Sequence, residues 1–250
     1  MKWSILYRSR LASCNFGCGY CPFQKARASR EELLRDATGL RRFVDWVETR
    51  KQDAIGIFFT PWGEALVHRH YQQAMSRLSH MPHVTRVVAQ TNLSCGLDWI
   101  DGCDKTSLAL WTTFHPTQVR RSPFVARCVQ LSQSKVRYSV GVVGVRESFG
   151  EITALRAELP PEVYLWVNAY KHEPHYYSLQ EIELLTRIDP LFGYNNKVYS
   201  SRGRQCQAGE SVVAVDEEGT LRRCHFIEQP LGNIYTEGFE ACLGERPCTS

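Results

Sequence analysis

Strand-like and helix-like patterns of apolar residues alternate along the chain up to about residue 190. Continuous or alternating apolar runs predict six β-strands, over residues 2–7, 54–60, 84–91, 107–113, 137–145 and 163–169. Apolar residues three and four positions apart predict a helix after each strand, over residues 30–47, 66–79, 98–101, 123–132, 151–158 and 178–188. Ser29 with Glu32, and Ser178 with Glu181, add capping-box patterns at the start of the first and last helices.

Six strand–helix units in series predict an α/β fold built on a parallel sheet with right-handed crossovers. Because a closed barrel needs eight such units, we expect an open, partial (β/α)6 TIM-like barrel over residues 1–190. In such sheets the chemistry lies at the carboxyl ends of the strands. The residues that follow each predicted strand are therefore candidate site residues.

The pattern changes after about residue 191. Two short strand-like segments, over residues 211–215 and 220–225, flank a turn that ends at Gly219. Such a pattern predicts a β-hairpin. We therefore expect residues 191–250 to form a small cysteine-bearing extension rather than a seventh strand–helix unit.

Composition and charge exclude several classes of protein. Hydrophobic residues make up 43% of the 250 residues and charged ones 22%, and 30 basic against 26 acidic side chains give a net charge of +4. This composition is typical of a soluble globular protein, and the charge is not concentrated in the basic stripe that nucleic-acid binding needs. No apolar run approaches the roughly 18 residues of a membrane span, and the N-terminus lacks a signal peptide's apolar region. We expect a cytoplasmic protein that binds neither nucleic acid nor membrane.

Cysteines are grouped near both ends of the chain. Of the ten, three are isolated and are interpreted as small core residues: Cys95, Cys103 and Cys128. The other seven lie near the start (Cys14, Cys18 and Cys21) or near the end (Cys206, Cys224, Cys242 and Cys248). In a reducing compartment, grouped cysteines are more often metal ligands or reactive groups than disulfides.

The first group has the spacing C-x3-C-x2-C and directly follows the first predicted strand. Three thiolates within eight residues can ligate three irons of a [4Fe–4S] cluster and leave the fourth iron open. A zinc site is the alternative, but zinc needs a fourth Cys or His ligand and this loop has none. The spacing therefore favours an iron–sulfur cluster.

This loop, with the aromatic Tyr20 before Cys21, resembles the radical S-adenosylmethionine (SAM) superfamily. The resemblance covers residues 2–190 and is greatest to a bacterial group with a cysteine-bearing C-terminal extension. It implies a [4Fe–4S] cluster that binds SAM at its open iron, reductive cleavage of SAM to a 5′-deoxyadenosyl radical, and hydrogen abstraction from a substrate. It also implies an electron donor such as flavodoxin or ferredoxin, and it assigns no catalytic residue.

The resemblance further implies SAM contacts at the ends of the later strands. Gly63 and Glu64 match the last two positions of the family's Gly-Gly-Glu segment, which meets the SAM amino group, whereas Trp62 replaces its first glycine. The other implied cofactor-binding residues are Tyr20, Asn92, Thr112, Thr113, Gly141, Val143 and Asn168. A turn explains the Gly-Glu pair equally well, and a β-bulge or close packing explains Gly141. His115 is a candidate substrate contact or an ordinary loop residue.

The second cysteine group resembles the SPASM or twitch extension of peptide-modifying radical SAM enzymes. Gly219 and Cys224 form a G-x4-C pattern, preceded by Cys206 and followed by Cys242 and Cys248. The resemblance implies an auxiliary iron–sulfur cluster held by Cys206, Cys224 and Cys248. The complete SPASM run has more closely spaced cysteines than this sequence, and a zinc site is the alternative.

A peptide is the first substrate class that the extension suggests, and a small metabolite or sugar is the second. A different hypothesis is a non-catalytic scaffold or partner protein that binds zinc or an iron–sulfur cluster on the same barrel.

Overall fold

The strands and helices follow the predicted alternation closely. The computed structural model describes residues 1–23 and 27–249. The strands are β1 (Lys2–Tyr7), β2 (Ala54–Phe59), β3 (Val84–Thr91), β4 (Leu108–Phe114), β5 (Arg137–Val143), β6 (Leu165–Asn168), β7 (Gln205–Cys206), β8 (Val212–Val215), β9 (Thr220–Arg222), β10 (Pro230–Asn233) and β11 (Arg246–Pro247). The α-helices are α1 (Arg30–Thr49), α2 (Arg69–Ser79), α3 (Arg121–Gln133), α4 (Phe149–Glu158), α5 (Leu179–Ile188) and α6 (Phe192–Asn195).

The predicted α/β class and partial-barrel strand order are confirmed. Hydrogen bonding orders the strands β10-β9-β8-β1-β2-β3-β4-β5-β6, so that the first six strands are neighbours in chain order. The chain divides into two compact units: unit 1 comprises Met1–Gln90, Asp98–Ala109 and Ser200–Ser250, and unit 2 comprises Thr91–Leu97 and Leu110–Tyr199.

In unit 1, β1 and β2 are parallel and in register from Lys2 opposite Ala54 to Tyr7 opposite Phe59. The helix α1 buries one apolar stripe, formed by Leu40, Phe43, Val44 and Val47. Its capping box is present, because the Ser29 N–H donates to Glu32 Oε2 at 2.7 Å and the Glu32 N–H donates back to Ser29 Oγ at 3.1 Å. The sequence therefore fixes where this helix begins.

The C-terminal hairpin differs from the prediction in its placement. It forms as expected between β8 and β9, with Gly219 in the left-handed region at φ +80°. However, β8 pairs in parallel with β1, from Ser4 opposite Val212 to Tyr7 opposite Val215. The hairpin thus extends the main sheet instead of standing apart from it, because the edge of β1 offers unpaired backbone groups that a short apolar strand can satisfy. The boundary at residues 190/191 stays a prediction.

In unit 2, β5 and β6 are parallel, from Val140 opposite Leu165 to Val143 opposite Asn168. The free edge of β6 is capped by side chains: the Val167 N–H donates to Asp189 Oδ2 at 2.9 Å, and the Ala169 N–H donates to Asn195 Oδ1 at 2.6 Å. These two residues follow α5 and substitute for a further strand.

Two predicted helices differ from the structure. The segment predicted at 66–79 begins as a 3₁₀ turn over Ala65–Val67, and α2 follows only from Arg69. The short helix predicted after β3 is a 3₁₀ turn, Asp98–Gly102. Both stretches are too short for an α-helix to be stable by itself.

Candidate functional site

The first cysteine group lies in the loop that leaves the carboxyl end of β1. Cys18 is buried, Cys21 is half-buried and Cys14 is exposed. The Phe16 N–H donates to Cys14 Sγ at 3.4 Å, and the Cys21 N–H donates to the Cys18 carbonyl at 3.3 Å. The backbone therefore turns tightly around the sulfur atoms.

The three thiols influence one another electrostatically. Burial raises the pKa of Cys14, and the negative charges of Glu64 and Cys21 raise it further, whereas backbone N–H groups of Phe16 and Glu64 lower it. Burial also raises the pKa of Cys18, with a contrary effect from a hydrogen bond with the Tyr20 side chain. Thiols placed so close together need a cation before all of them can be thiolates.

The segment after β2 is hydrogen-bonded to this loop. The Gly63 N–H donates to the Leu11 carbonyl at 2.6 Å, and the Glu64 N–H donates to the Ser13 carbonyl at 3.0 Å. A Cβ atom on Gly63 would lie only 2.0 Å from the Ser13 carbonyl oxygen, so no other residue fits there without displacing the backbone. The structure thus places Gly63 and Glu64 against the Leu11–Ser13 segment that leads into Cys14, and their role in one cofactor site stays a prediction.

The Glu64 side chain also has a structural contact. Glu64 is buried, and its Oε1 accepts a hydrogen bond from the Leu66 N–H at 3.1 Å, which caps the 3₁₀ turn that follows. The predicted role toward a SAM amino group stays a prediction.

Arg8, which the sequence analysis does not single out, belongs to the same region. Its guanidinium lies 4.6 Å from the ring centre of Trp62 and 5.2 Å from that of Phe23. Burial lowers the pKa of Arg8, and its Nε is buried without a hydrogen-bond partner among the described residues. Arg8 directly follows an apolar strand, and in the sequence that position is the signal that marks it as a candidate site residue.

A second buried polar atom lies at the end of β2. The Thr60 hydroxyl has no hydrogen-bond partner in the part of the chain that the structure describes. Buried polar groups are normally hydrogen-bonded, so the Thr60 hydroxyl and the Arg8 Nε are exceptions among the described residues at the carboxyl ends of β2 and β1.

Unit 2 holds the remaining predicted cofactor-binding residues. The Thr113 hydroxyl is buried and lacks a hydrogen-bond partner within residues 1–23 and 27–249, which makes it the best candidate among them. The neighbouring Thr112 hydroxyl is already used, since it donates to the Ser139 carbonyl at 2.8 Å. The Asn92 Oδ1 accepts from the Ser94 N–H at 3.0 Å and shapes the turn after β3.

Gly141 has a packing role in the structure. A Cβ atom there would lie 2.0 Å from the Trp166 ring, so the glycine makes room for that indole. Val143 is half-buried and Asn168 is exposed at the ends of their strands. Their predicted contacts to adenine stay predictions.

His115, directly after β4, lies in a setting that favours its neutral form. Burial lowers its pKa to about 4. It is therefore neutral at physiological pH and has no proton on its second ring nitrogen to donate.

The C-terminal cysteines all lie in unit 1. A two-stranded ribbon pairs Cys206 in β7 with Arg246 in β11, and the Cys248 N–H donates to the Arg204 carbonyl at 2.8 Å. The buried Arg223, next to Cys224, donates to the carbonyls of Arg246 and Pro247 at 3.0 and 2.7 Å.

These contacts connect the segments of Cys206, Cys224 and Cys248. Cys242 borders the same ribbon: its Sγ is 3.3 Å from the position of a Cβ atom on Gly232 in β10, and its carbonyl accepts a hydrogen bond from the Arg246 guanidinium at 2.7 Å.

The first cysteine group offers three thiol donors from one loop. Among the described residues, no three His, Cys, Asp or Glu side chains converge on one metal-ion position. A [4Fe–4S] cluster accepts one thiolate per iron, which is the donor chemistry that this loop provides. The assignment of Cys14, Cys18 and Cys21 as its ligands stays a prediction.

Comparison with solved structures identifies the fold. The structure of native anSMEcpe with bound AdoMet and Cp18Cys peptide matches with a TM-score of 0.60 at 15% identity, over 97% of this chain and 80% of that chain. Native anSMEcpe with bound AdoMet and Kp18Cys peptide gives 0.61 at 13% identity, over 96% and 80%. Hexahistidine-tagged anSMEcpe with bound AdoMet gives 0.58 at 15% identity, over 97% and 80%. No protein-family model and no curated protein matches the chain.

A search of the described helices finds none with the length and hydrophobicity that crossing a membrane requires.

Proposed function

We propose that the chain is a radical SAM enzyme. It binds a [4Fe–4S] cluster through Cys14, Cys18 and Cys21, cleaves SAM reductively to a 5′-deoxyadenosyl radical and abstracts a hydrogen atom from its substrate. The observation that carries the proposal is the C-x3-C-x2-C loop at the carboxyl end of β1, with Gly63 and Glu64 hydrogen-bonded to it. The likeness of the fold to a protein solved with bound AdoMet supports it.

The chain's own residues bind and orient the two cofactors. When bound, the reduced cluster supplies the electron that breaks the sulfonium C–S bond of SAM. Glu64 provides a carboxylate for the SAM amino group, and the guanidinium of Arg8 suits a carboxylate. In unit 2, the Thr113 hydroxyl has no hydrogen-bond partner among the described residues and stays the candidate that the resemblance implies for the ribose or carboxylate of SAM.

Replacing one cluster cysteine tests the proposal directly. Anaerobically reconstituted and reduced protein should release 5′-deoxyadenosine from SAM. Cys18→Ala should abolish that release and lower the iron content by about four irons per chain. Cys128→Ala is the matched control, because Cys128 is a buried thiol in α3 whose pKa burial raises to about 12. Full SAM cleavage by Cys18→Ala, or zinc bound to these thiols, contradicts the proposal.

Glu64→Gln separates the cofactor role of Glu64 from its structural role. A glutamine oxygen can still accept the Leu66 N–H and cap the 3₁₀ turn, but it lacks the negative charge that attracts an ammonium. We expect the iron content to stay unchanged while the KM for SAM rises about tenfold. An unchanged KM would assign Glu64 to the turn alone.

The C-terminal cysteines are proposed to hold an auxiliary iron–sulfur cluster through Cys206, Cys224 and Cys248. The ribbon of β7 and β11 and the Arg223 hydrogen bonds support this ligand set. Cys206→Ala should lower the iron content while the spectrum of the first cluster stays intact. Cys242→Ala should change neither, and iron loss in that variant would reassign the ligand.

A peptide is the proposed substrate class, and a small metabolite or sugar is the second. The match to anSMEcpe structures with bound peptides supports the first choice. A flavodoxin or ferredoxin is the proposed electron donor.

One observation favours a second candidate, a non-catalytic cluster-binding protein. Trp62 occupies the position of the family's first glycine and is covered by Arg8 and Phe23. A scaffold of this kind would bind the cluster but release no 5′-deoxyadenosine, so the assay above distinguishes the two.

A further inference from the structure

A cavity of about 530 Å³ opens within unit 2, and four of its lining side chains are aromatic: Trp111, Tyr164, Trp166 and Tyr194. Trp111 lies in β4 and Tyr194 in α6. Tyr164 directly precedes β6, and Trp166 lies within that strand. Asp189 is the charged residue of the lining. None of these residues belongs to the candidate site described above.

Packing fixes the inner aromatic wall. The Trp166 ring lies on Gly141, where even a Cβ atom would be 2.0 Å from it. Trp111 meets Trp166 edge to face, with 5.1 Å between ring centres and 78° between the ring planes. Because these contacts fix the two indole rings, the wall is pre-organised, and a ligand that binds there does not have to order it.

The aromatic side chains at the opening remain exposed. Trp111 is 36% exposed, Tyr164 is 43% exposed and Tyr194 is 69% exposed. Contiguous exposed apolar surface marks binding sites on soluble proteins. Because these side chains surround one cavity, the ligand is expected to occupy the cavity itself.

Asp189 adds a negative charge to the lining. It is only 2% exposed, and its carboxylate accepts hydrogen bonds from the Tyr164 hydroxyl at 2.8 Å and from the Val167 and Leu191 N–H groups at 2.9 Å each. All three donors are neutral, and no Lys, Arg or His forms an ion pair with Asp189 in the part of the chain that the structure describes. Within the described residues, neutral donors alone thus hold the Asp189 carboxyl group in place.

We propose that this cavity binds an organic cation, an ammonium or guanidinium group carried on an apolar stem. Aromatic faces attract cations, and the attraction increases where water is excluded. The Asp189 carboxyl group, which has no ion-pair partner among the described residues, adds to that attraction and disfavours an anion. A neutral apolar ligand would use the rings but gain nothing from Asp189.

The inference goes beyond the proposed SAM chemistry and does not rest on it. Every residue that carries it lies within residues 110–199, and none is a cysteine or a predicted cluster ligand. Gly141, against which Trp166 packs, is also a predicted cofactor-binding residue, so the two proposals are distinguished by separate measurements: probe binding for the cavity and 5′-deoxyadenosine release for SAM cleavage.

Ligand-observed NMR titration of the full chain tests the charge preference with matched probes. N-acetyl-lysine methylamide and N-acetyl-norleucine methylamide share the same stem, but only the first has an ammonium group. We expect saturable binding in which the lysine probe binds about tenfold more tightly than the norleucine probe. A tenfold difference in affinity corresponds to a cation–π and charge contribution of about 1.4 kcal/mol. N-acetyl-arginine and N-acetyl-citrulline methylamides should repeat the difference.

Variants at exposed aromatic positions locate the binding site. Trp111→Leu and Tyr194→Ala should each weaken binding of the lysine probe about fivefold or more. Tyr199→Ala is the matched control, because Tyr199 is a 53% exposed tyrosine in unit 2 that does not line the cavity. It should leave binding unchanged.

Asp189→Asn tests the charge separately. It should weaken binding of the lysine probe and leave that of the norleucine probe unchanged, and circular dichroism checks that the variant is folded. Should that variant fail to fold, Trp111→Leu and Tyr194→Ala still decide the outcome. Equal binding of both probes, no saturable binding, or equal losses in the Tyr194 and Tyr199 variants overturns the proposal.

Discussion

At the scale of single residues, two glycines allow close approaches that no other side chain permits. Gly63 brings the segment after β2 against the Ser13 carbonyl, and Gly141 brings β5 against the Trp166 ring. In both cases a Cβ atom would lie 2.0 Å from its neighbour. The glycines therefore set the positions of the cysteine loop and of the aromatic cavity wall.

We expect Gly141→Ala to lower the free energy of unfolding by about 1–3 kcal/mol, because the methyl group overpacks against the indole. Denaturant unfolding, followed by circular dichroism, measures the change. Gly150→Ala is the matched control, since Gly150 lies in α4 with nothing within 4 Å of an added Cβ atom, and it should be neutral or stabilising. Equal effects of the two substitutions would contradict the packing role.

His115 gives a prediction about pH. Its folded-state pKa of about 4 lies below the ordinary 6.5, so above pH 6.5 both the folded and the unfolded chain carry it neutral. As the pH falls toward 4, only the unfolded chain takes up the proton, and stability decreases by up to about 3 kcal/mol. Unfolding free energies measured between pH 7 and 4 should fall less steeply in His115→Gln. Parallel curves for the two proteins would contradict the assignment.

At the scale of elements, a buried hydrogen-bond network connects the end of β1 with two helices. Ser9 is hydrogen-bonded to the Tyr71 hydroxyl at 2.8 Å, and that hydroxyl donates to Asp36 Oδ1 at 3.1 Å. The other oxygen of Asp36 contacts His70 Nε2 at 2.7 Å. Since Ser9 also accepts the Leu11 N–H, the network holds the base of the cysteine loop against α1 and α2.

Asp36→Ala should therefore destabilise the chain by about 2–4 kcal/mol, because it removes the buried acceptor of the Tyr71 hydroxyl and the partner of His70 Nε2. Asp45→Ala, on the same helix, is the control: Asp45 pairs with Arg77 at the surface, and such pairs contribute roughly 0–1 kcal/mol. Denaturation midpoints of both variants provide the measurement. Similar midpoints would mean that the buried network has no stabilising role.

At the scale of the whole molecule, the C-terminal segment completes the main sheet. The Ser4 N–H donates to the Ser211 carbonyl and the Arg8 N–H to the Val215 carbonyl, each at 2.8 Å. Val213, Val215 and Leu221 of the hairpin are buried core residues. Residues 200–250 are thus part of the core of unit 1.

A chain that ends at residue 199 should aggregate or melt without cooperativity, because it exposes the edge of β1 and loses those core residues. A chain that ends at residue 244 keeps β8, β9 and β10 and should keep a cooperative transition, although it loses β11, Cys248 and the carbonyls that Arg223 binds. Size-exclusion chromatography and thermal circular dichroism distinguish them. A monomeric, cooperatively melting chain of residues 1–199 would instead support the separate extension that the sequence predicts.

The sequence by itself determined most of the elements and predicts the first cysteine site. Apolar periodicity and the two capping boxes act between residues close in the chain, so they predict β1, β3 and the start of α1 to the residue. The C-x3-C-x2-C loop is likewise local, since all three donors lie within eight residues.

Only the tertiary structure decided what depends on residues far apart in the chain. It paired β8 with β1, placed Arg8 over Trp62, and filled the space above Gly141 with Trp166. It also arranged four aromatic side chains and Asp189 around one cavity. A single sequence carries no signal for such contacts, because their energy comes from packing and desolvation between segments that meet only after folding.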